Sequence, residues 1–169
     1  MAIPLGRDRY FASSMIERIH IAKEHGGPVG SVPEARIVAG KGIEGDRNFG
    51  ESRWVGQNLT LIEAEAVEEI AANFGVELDP GATRRNLVVR GVRLDELVGT
   101  MFSIGEVVLR GVELCEPCTT LADHLGWDAK KTLDVFRHRG GLRCDCLVGG
   151  VVREGMAFAI PVEADPAGN

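Results

Sequence analysis

The chain has 169 residues, a formal net charge of −6 and a pI near 5.3, with 44% hydrophobic and 26% charged residues. This length predicts one domain with a sizeable core. The acidic balance argues against a nucleic-acid-binding protein, and no apolar run approaches the ~20 residues that span a bilayer. The N-terminal sequence lacks the pattern of a signal peptide. We therefore expect a cytoplasmic protein with reduced thiols and no structural disulfides.

Alternation of apolar and polar residues predicts strands along most of the chain. In the first, Met15, Ile19 and Ile21 share one face; in the last, Met156 and Phe158 share a face with Ile160 and Val162. Glycines predict a break at 105 and a bulge near 111. The predicted strand segments are 15–22, 34–39, 57–62, 84–90, 101–114, 142–148 and 155–162.

Helical periodicity marks three shorter segments. The first, 63–74, ends at Gly75, a plausible C-cap. The second begins at Pro117, and the third follows the N-cap Asp128 with Ala129, Leu133 and Phe136 facing inward.

Strands dominate and helices lie between them, so we predict a mainly β fold with a few short helices. Its sheet would be mostly antiparallel and curled into a β-barrel of α+β type. One domain is expected over 15–163, with flexible termini at 1–14 and 164–169.

The segment "GKGIEGDRNFG" (40–50) is the densest glycine cluster and contains Asp46 and Arg47. Glycines let backbone amides approach a ligand closely, and an arginine can bind an anion through two donors. This pattern favours an anion-binding loop. A tight structural loop in which Asp46 pairs with Arg47 remains the alternative.

A second arginine lies in "TRRNLVVRG", where Arg85 shares parity with the apolar residues of the run. If the strand begins by residue 85, this side chain points toward the core, which is costly without an anion or a carboxylate. Arg85 would therefore face a ligand at the barrel mouth or form an ion pair with Asp46 or Glu44. Arg84 and Asn86 take the opposite face.

Two cysteines stand in "LCEPC", where Cys115 would end a strand and Cys118 would begin a helix. A helix N-terminus stabilises a thiolate and so favours nucleophilicity and metal binding. Cys118 also falls on the apolar stripe of that helix, so an inert buried thiol remains open.

Two further cysteines, Cys144 and Cys146, alternate with Val148 on one face of a strand, which favours core positions. A four-cysteine zinc site is less suited to this sequence, because a C-x-C pair on a strand lacks the usual turn of a zinc knuckle. Zinc is therefore not expected. The histidines at 20, 25, 124 and 138 have no metal-pair spacing.

Taken in order, "GIEGDRNFG", "NLTLIEAEAVEEI", "RRNLVVRGVRLDELVGTMFSIGEVVLRGVELCEPC" and "RGGLRCDCLVGGVVREGM" resemble the MOSC family, over about 15–163. These domains are similar to the C-terminal part of eukaryotic molybdenum-cofactor sulfurase, and the match is to short stand-alone bacterial members. The resemblance implies a β-rich, barrel-like fold with one functionally important cysteine in a pocket.

The resemblance assigns that role to Cys118, which would carry a persulfide or ligate the molybdenum of a pterin cofactor. It places Arg47 and Arg85 near the anionic groups of molybdopterin, with Asp46 and Asn86 beside them. Pyridoxal phosphate is not expected, because the chain has no large α/β domain to hold it. Two features depart from the family: Asn48 replaces a frequent aromatic residue or histidine, and cysteines occupy positions 144 and 146.

Three functions follow from this resemblance. The chain could be a molybdenum-cofactor enzyme that reduces N-hydroxylated or N-oxide compounds with electrons from a donor protein. It could instead be a sulfur carrier that receives a persulfide from a cysteine desulfurase, or a small-ligand-binding barrel without turnover. The expected partners are the pterin cofactor or a small-molecule substrate, with no nucleic acid and no membrane.

Overall fold

The computed structural model describes residues 14–51, 53–116 and 119–159. Helices α1, α2 and α3 span Ala64–Phe74, Thr119–Leu125 and Ala129–Phe136. Short 3-10 helices span Pro80–Thr83 and Leu94–Leu97. The strands are β1 (Met15–Ala22), β2 (Val29–Val32), β3 (Glu34–Val38), β4 (Gly42–Ile43), β5 (Leu59–Glu63), β6 (Leu87–Arg90), β7 (Met101–Ile104), β8 (Val107–Leu114), β9 (Leu142–Val148), β10 (Gly150–Arg153) and β11 (Phe158–Ala159).

The strands form an eight-stranded sheet in the order β11-β7-β8-β9-β5-β6-β1-β2 and a three-stranded sheet in the order β10-β3-β4. Strands β5 and β6 pair in parallel, while the other strand pairs are antiparallel. An isolated bridge joins Met15 to Ala157 across the curl. The mainly β, largely antiparallel fold is thus confirmed, as a curled sheet and not a closed barrel. The predicted termini and the end of the last strand lie mostly outside the described residues.

An irregularity in the pairing of β1 changes which of its residues point toward the core. The pairing of β1 with β6 shifts register between Ile16 and Arg18. Ile16 and Ile19 are therefore fully buried, while Met15 and Ile21 are half-buried. The expectation that Met15, Ile19 and Ile21 share one inner face was wrong, because a bulge inserts a residue and changes the parity.

The core between the sheets includes the cysteines of β9. Cys144 is fully buried and Cys146 is 4% exposed, within a cluster that includes Leu59 and Phe102. Val148 was predicted on the same face but is exposed. The cause is a register shift in the β8–β9 pairing next to the Val108–Val148 pair.

Helix α1 buries Val67 and Ile70 and ends at Gly75 in the left-handed conformation, with φ of 60°. The predicted helix and its cap are confirmed. Phe74 was expected on the buried stripe but lies 45% exposed. The N-terminal half of the helix packs on β5 and β6 through Val67, and Ile70 packs on residues of the other two helices.

Helix α3 begins as predicted, with the Asp128 carboxylate accepting a hydrogen bond from the Lys131 amide at 2.7 Å. Its buried residues are Thr132, Val135 and Phe136. Ala129 and Leu133 are exposed, so two of the three inward positions were wrong. No helix in the described residues is long and apolar enough to cross a membrane.

Candidate functional site

Asp46 organises the loop that follows β4. Its carboxylate is buried and accepts hydrogen bonds from the Ala22 amide at 3.0 Å and the Asn48 amide at 3.2 Å. The Arg47 guanidinium donates to the same carboxylate at 3.1 Å. Asp46 therefore fixes the loop to the end of β1 and orients Arg47, and the predicted Asp46–Arg47 pair is present.

A second contact holds Arg47 against the next segment. Its Nη2 donates to the backbone oxygen of Arg84 at 2.9 Å, and its amide donates to the Ala22 oxygen at 2.7 Å. Two groups of the protein thus hold the guanidinium and a third holds the backbone amide, with 11% of the Arg47 side chain exposed. Such a preorganised cation meets a ligand with little further loss of side-chain entropy.

The glycine loop also packs closely on the residue before β5. Gly42 has φ of +102°, and a Cβ there would lie 2.6 Å from the Asn58 oxygen. The Asn58 side-chain amide donates to the backbone oxygens of Asn48 and Glu51. Glycine is required at 42 because both the backbone angle and the close approach exclude a side chain.

Arg84 stands in a tight turn rather than in a strand. The Pro80–Thr83 3-10 helix ends in Arg84, whose φ is 62°, and β6 begins only at Leu87. Arg84 Nη1 donates to the Gly27 oxygen at 2.7 Å, whereas its buried Nη2 has no hydrogen-bond partner. Burial lowers the pKa of Arg84, and the neighbouring Arg47 adds to this effect. The charge of Arg84 is therefore poorly compensated.

Arg85 lies just before β6 and is half-buried. Its Nε donates to the Gly140 oxygen at 2.8 Å. The alternative of an Arg85 ion pair is wrong, because Asp46 pairs with Arg47 and Glu44 lies 3.9 Å from Arg36. Within the described ranges, no carboxylate lies at ion-pair distance from Arg85.

Arg47, Arg84 and Arg85 line one cleft of about 420 Å³ together with a fourth arginine, Arg53, and we call it the arginine cleft. It lies between the glycine loop, the turn before β6 and helix α2. Volumes of this size are typical of small-molecule sites. An anion entering the cleft would face guanidinium groups that are already positioned. Other residues of its wall include His25, Asn48, Glu51, Trp54, Gln57 and Leu121.

Asn86 lies outside this wall. It is 1% exposed, and its Oδ1 accepts hydrogen bonds from the amide and the hydroxyl of Thr60 at 3.1 and 3.2 Å. Its Nδ2 donates to the His20 oxygen at 3.2 Å. These bonds tie β1, β5 and β6 together beneath the cleft. A contact of Asn86 with a cofactor stays a prediction.

A protein-family model described as the MOSC domain matches residues 22–159. The chain belongs to the MOSC domain family. The match includes every element that lines the arginine cleft, and it runs from the last residue of β1 to the last residue of β11.

Solved structures share the MOSC fold at low sequence identity. YuaD from Bacillus subtilis is 19% identical with a TM-score of 0.75, covering 86% of this chain and 93% of that one. YiiM from Geobacillus stearothermophilus is 14% identical with a TM-score of 0.67, covering 91% and 78%. YiiM from Escherichia coli is 18% identical with a TM-score of 0.66, covering 89% and 71%. No curated protein matches the chain significantly.

Cys118, to which the resemblance assigned the functional cysteine, lies outside the described residues. Cys115, the described cysteine nearest to it in sequence, is not among the residues that line the arginine cleft. Cys115 is 1% exposed and its amide donates to the Gly141 oxygen at 2.7 Å. Burial raises the pKa of the Cys115 thiol, although the nearby Arg85 and Arg143 oppose this. Three residues beyond Cys118, Leu121 lines the cleft.

The cysteines of β9 have the environment of core residues. Burial raises the pKa of Cys144 well above its usual range and raises that of Cys146 to about 12. Both thiols therefore stay protonated and weakly nucleophilic at neutral pH. In the described ranges, no group of three or more potential ligands could hold a metal ion. The absence of zinc stays a prediction, because Cys118 lies outside those ranges.

Two residues of the cleft wall were missed from the sequence. Arg84 was assigned to the face opposite Arg85, although both line the cleft. The "DPGA" sequence before them is a turn signal, which should have placed both residues in a loop. Trp54 had no recognisable pattern, because its position depends on contacts with distant strands.

Proposed function

We propose that this MOSC-domain protein binds a molybdenum–pterin cofactor in the arginine cleft and reduces N-hydroxylated or N-oxide compounds. Cys118 would ligate the molybdenum. The observation that carries the proposal is the convergence of Arg47, Arg84 and Arg85 on one cleft, where a carboxylate pairs with Arg47 alone among them. Convergent guanidinium groups are suited to the phosphate group of such a cofactor.

The residues present fit an anionic cofactor. Arg84 has a buried donor without a partner, and its pKa is lowered by burial and by Arg47. A phosphate near this side chain would offset both effects, because it supplies an acceptor and an opposite charge. Arg47 and Arg85 are held by backbone oxygens at 2.9 and 2.8 Å, so they need little rearrangement.

The position of the flanking residues supports a role for Cys118 in the same cleft. Gly140 packs on Cys115, two residues before the undescribed positions 117 and 118, since a Cβ at Gly140 would lie 2.1 Å from the Cys115 oxygen and 3.8 Å from Arg85 Nη2. After the pair, Leu121 is on the cleft wall. A thiolate is a soft ligand of the kind that binds redox-active metals. The three described cysteines are free, as expected in the cytoplasm.

The proposed reaction consumes two electrons and two protons. The N–O bond breaks, the nitrogen keeps the electron pair of the amine, and the oxygen leaves as water. A separate electron-donor protein supplies the electrons, and the bound molybdenum centre would supply the two-electron redox chemistry. The arginines bind and orient the anionic group, and the cleft wall positions the substrate.

The test is metal and pterin analysis of protein produced in a host that makes the cofactor. Wild type and Cys115→Ser should retain molybdenum and pterin, while Cys118→Ser should lose the metal. Circular dichroism checks that both variants are folded. Sulfur that cyanide releases from Cys118, without molybdenum, would replace this function by that of a persulfide carrier. Equal loss in both variants would mean that the two thiols act as a pair.

A further inference from the structure

Trp54 is a large aromatic side chain left partly uncovered on the wall of the arginine cleft. It is 49% exposed, and the neighbouring Val55 is 63% exposed. An exposed indole beside a charged cleft offers apolar area that a ligand can remove from water. The side chain thus stands where a bound compound would contact it.

The segment that carries this residue, 53–57, is held firmly. The Arg53 amide donates to Gln57 Oε1 at 2.8 Å, and the Gly56 amide donates to Asp145 Oδ1 at 3.0 Å. Gly56 has φ of +74°, and a Cβ there would lie 3.0 Å from the Arg143 Cβ. The segment therefore packs directly on β9, and the backbone that carries Trp54 has a fixed position in the wall of the cleft.

Arg143 fixes the indole further. Its guanidinium carbon lies 5.5 Å from the Trp54 ring centroid, at cation–π distance. Arg143 Nη1 also donates a hydrogen bond to the Glu113 carboxylate at 3.2 Å. A cation held beside the ring restricts the ring orientation. The part of the indole that remains exposed is then presented to the cleft in a defined direction.

We infer that Trp54 is a specificity-determining residue that stacks on the planar conjugated ring of an aromatic N-oxide or N-hydroxylated substrate. This inference rests on the proposed function. The arginines bind the phosphate group of the cofactor, while the indole of Trp54 selects the substrate by its planar shape. Aromatic stacking contributes a discrimination of about two- to tenfold over a saturated compound of equal size.

The chain contains two tryptophans, so replacing one of them lets fluorescence report on the other. Trp127 packs on Phe136 with ring centroids 6.1 Å apart, away from the arginine cleft. In a Trp127→Phe background, emission reports on Trp54. Protein as purified, without an electron donor, is titrated with pyridine N-oxide and with N-methylpiperidine N-oxide. Saturable quenching by the planar compound, at lower concentration than by the saturated one, is expected.

Calorimetry on Trp54→Leu and Trp54→Phe completes the test. Trp54→Leu should weaken binding of pyridine N-oxide about two- to tenfold and leave N-methylpiperidine N-oxide unchanged, while Trp54→Phe stays within about twofold of wild type. Equal weakening for both compounds, or for neither, overturns the inference. So does a loss of pterin from Trp54→Leu, which would assign the indole to the cofactor.

A reduction assay separates this inference from the function on which it rests. If loaded protein reduces neither compound while the selective quenching persists, the proposed reaction fails and the stacking site stands. If both are reduced and Trp54→Leu leaves the ratio of their kcat/KM values unchanged, the reaction stands and the role of Trp54 is wrong.

Discussion

Arginines line two clefts of this protein, and the groups that accept their hydrogen bonds differ between the two. The arginine cleft contains Arg84 and Arg85, which bind backbone oxygens. A second cleft of about 590 Å³, which we call the acidic cleft, is lined by Glu63, Glu65, Arg93, Asp95 and Arg139. There Arg93 pairs with Asp95 at 3.1 Å, and Arg139 pairs with Glu69 at 2.7 Å. The difference separates arginines that pair with carboxylates from arginines whose hydrogen bonds go to backbone oxygens.

The pKa directions follow the same division. Hydrogen bonds that the arginines donate to carboxylates raise the pKa of Arg93 and Arg139, with Asp95 and Glu69 as the respective acceptors. Burial lowers the pKa of Arg84, and Arg47 lowers it further. In the acidic cleft carboxylates already stabilise the charge of the arginines. In the arginine cleft Arg47 pairs with Asp46, whereas Arg84 and Arg85 have no carboxylate at ion-pair distance among the described residues. The acidic cleft is the larger of the two, so the proposal of a ligand in the arginine cleft rests on charge compensation and not on volume.

Replacing Asp46 should break the arginine cleft with the largest effect. Asp46→Ala removes the acceptor of the Ala22 and Asn48 amides and leaves the mostly buried Arg47 without its carboxylate. Losing one partner of a buried ion pair costs about 3 kcal/mol or more. Urea denaturation should show this loss in the free energy of unfolding. The matched change in an exposed pair, Asp95→Ala, should cost no more than ~1 kcal/mol. Similar losses would show that the two clefts do not differ as described.

Truncating one arginine in each cleft should affect anion binding in the arginine cleft alone. Arg85→Ala removes a guanidinium from the arginine cleft and should weaken phosphate binding and pterin retention about 10- to 100-fold, since a charged hydrogen bond contributes about 1.5–3 kcal/mol. Arg139→Ala removes one that already pairs with Glu69 and should leave both unchanged. Calorimetry with inorganic phosphate measures the first effect. Unchanged binding in Arg85→Ala would make this residue structural, and unfolding of the variant would do the same.

The cysteines of β9 should have a smaller effect, confined to packing. Cys144→Ala and Cys146→Ala each remove one buried sulfur and should cost on the order of 1 kcal/mol of unfolding free energy. Neither change should alter phosphate binding in the arginine cleft. Thermal unfolding and metal analysis of the variants check this. Stoichiometric zinc in wild type, lost together with the fold on chelation, would contradict the core role.

The fold was largely predictable because alternation and turn signals are local. The cap at Gly75 and the break at Gly105 depend on neighbouring residues and were found. Bulges were harder, since the shift between Ile16 and Arg18 depends on pairing with a strand distant in sequence. The glycine loop indicated Arg47, which the structure places in the wall of the arginine cleft. Which arginine lacks a carboxylate is decided by tertiary contacts, so the environment of Arg84 could not be inferred.

The smallest predicted effect extends the contrast to His20, whose imidazole contacts the turn that presents Arg84. A Cβ at Gly81 would lie 3.2 Å from His20 Nε2, and the buried Nδ1 has no hydrogen-bond partner. Burial lowers the pKa of His20 below its ordinary value of 6.5, although the nearby Asp79 and Glu154 oppose this and Arg18 supports it. As for Arg84, the nearby carboxylates do not offset the effect of burial on the pKa of His20.

Because the folded pKa is the lower one, the unfolded chain binds more protons as the pH falls through 6.5, and the folded state loses stability over that window. Urea denaturation at about pH 7.5 and about pH 5.5 should therefore show a drop in wild type that is smaller in His20→Gln. The comparison uses the change with pH within each protein, so a packing defect of the variant cancels. An equal drop in both proteins would mean that His20 finds a compensating partner when protonated, and the contrast would then be limited to the arginines.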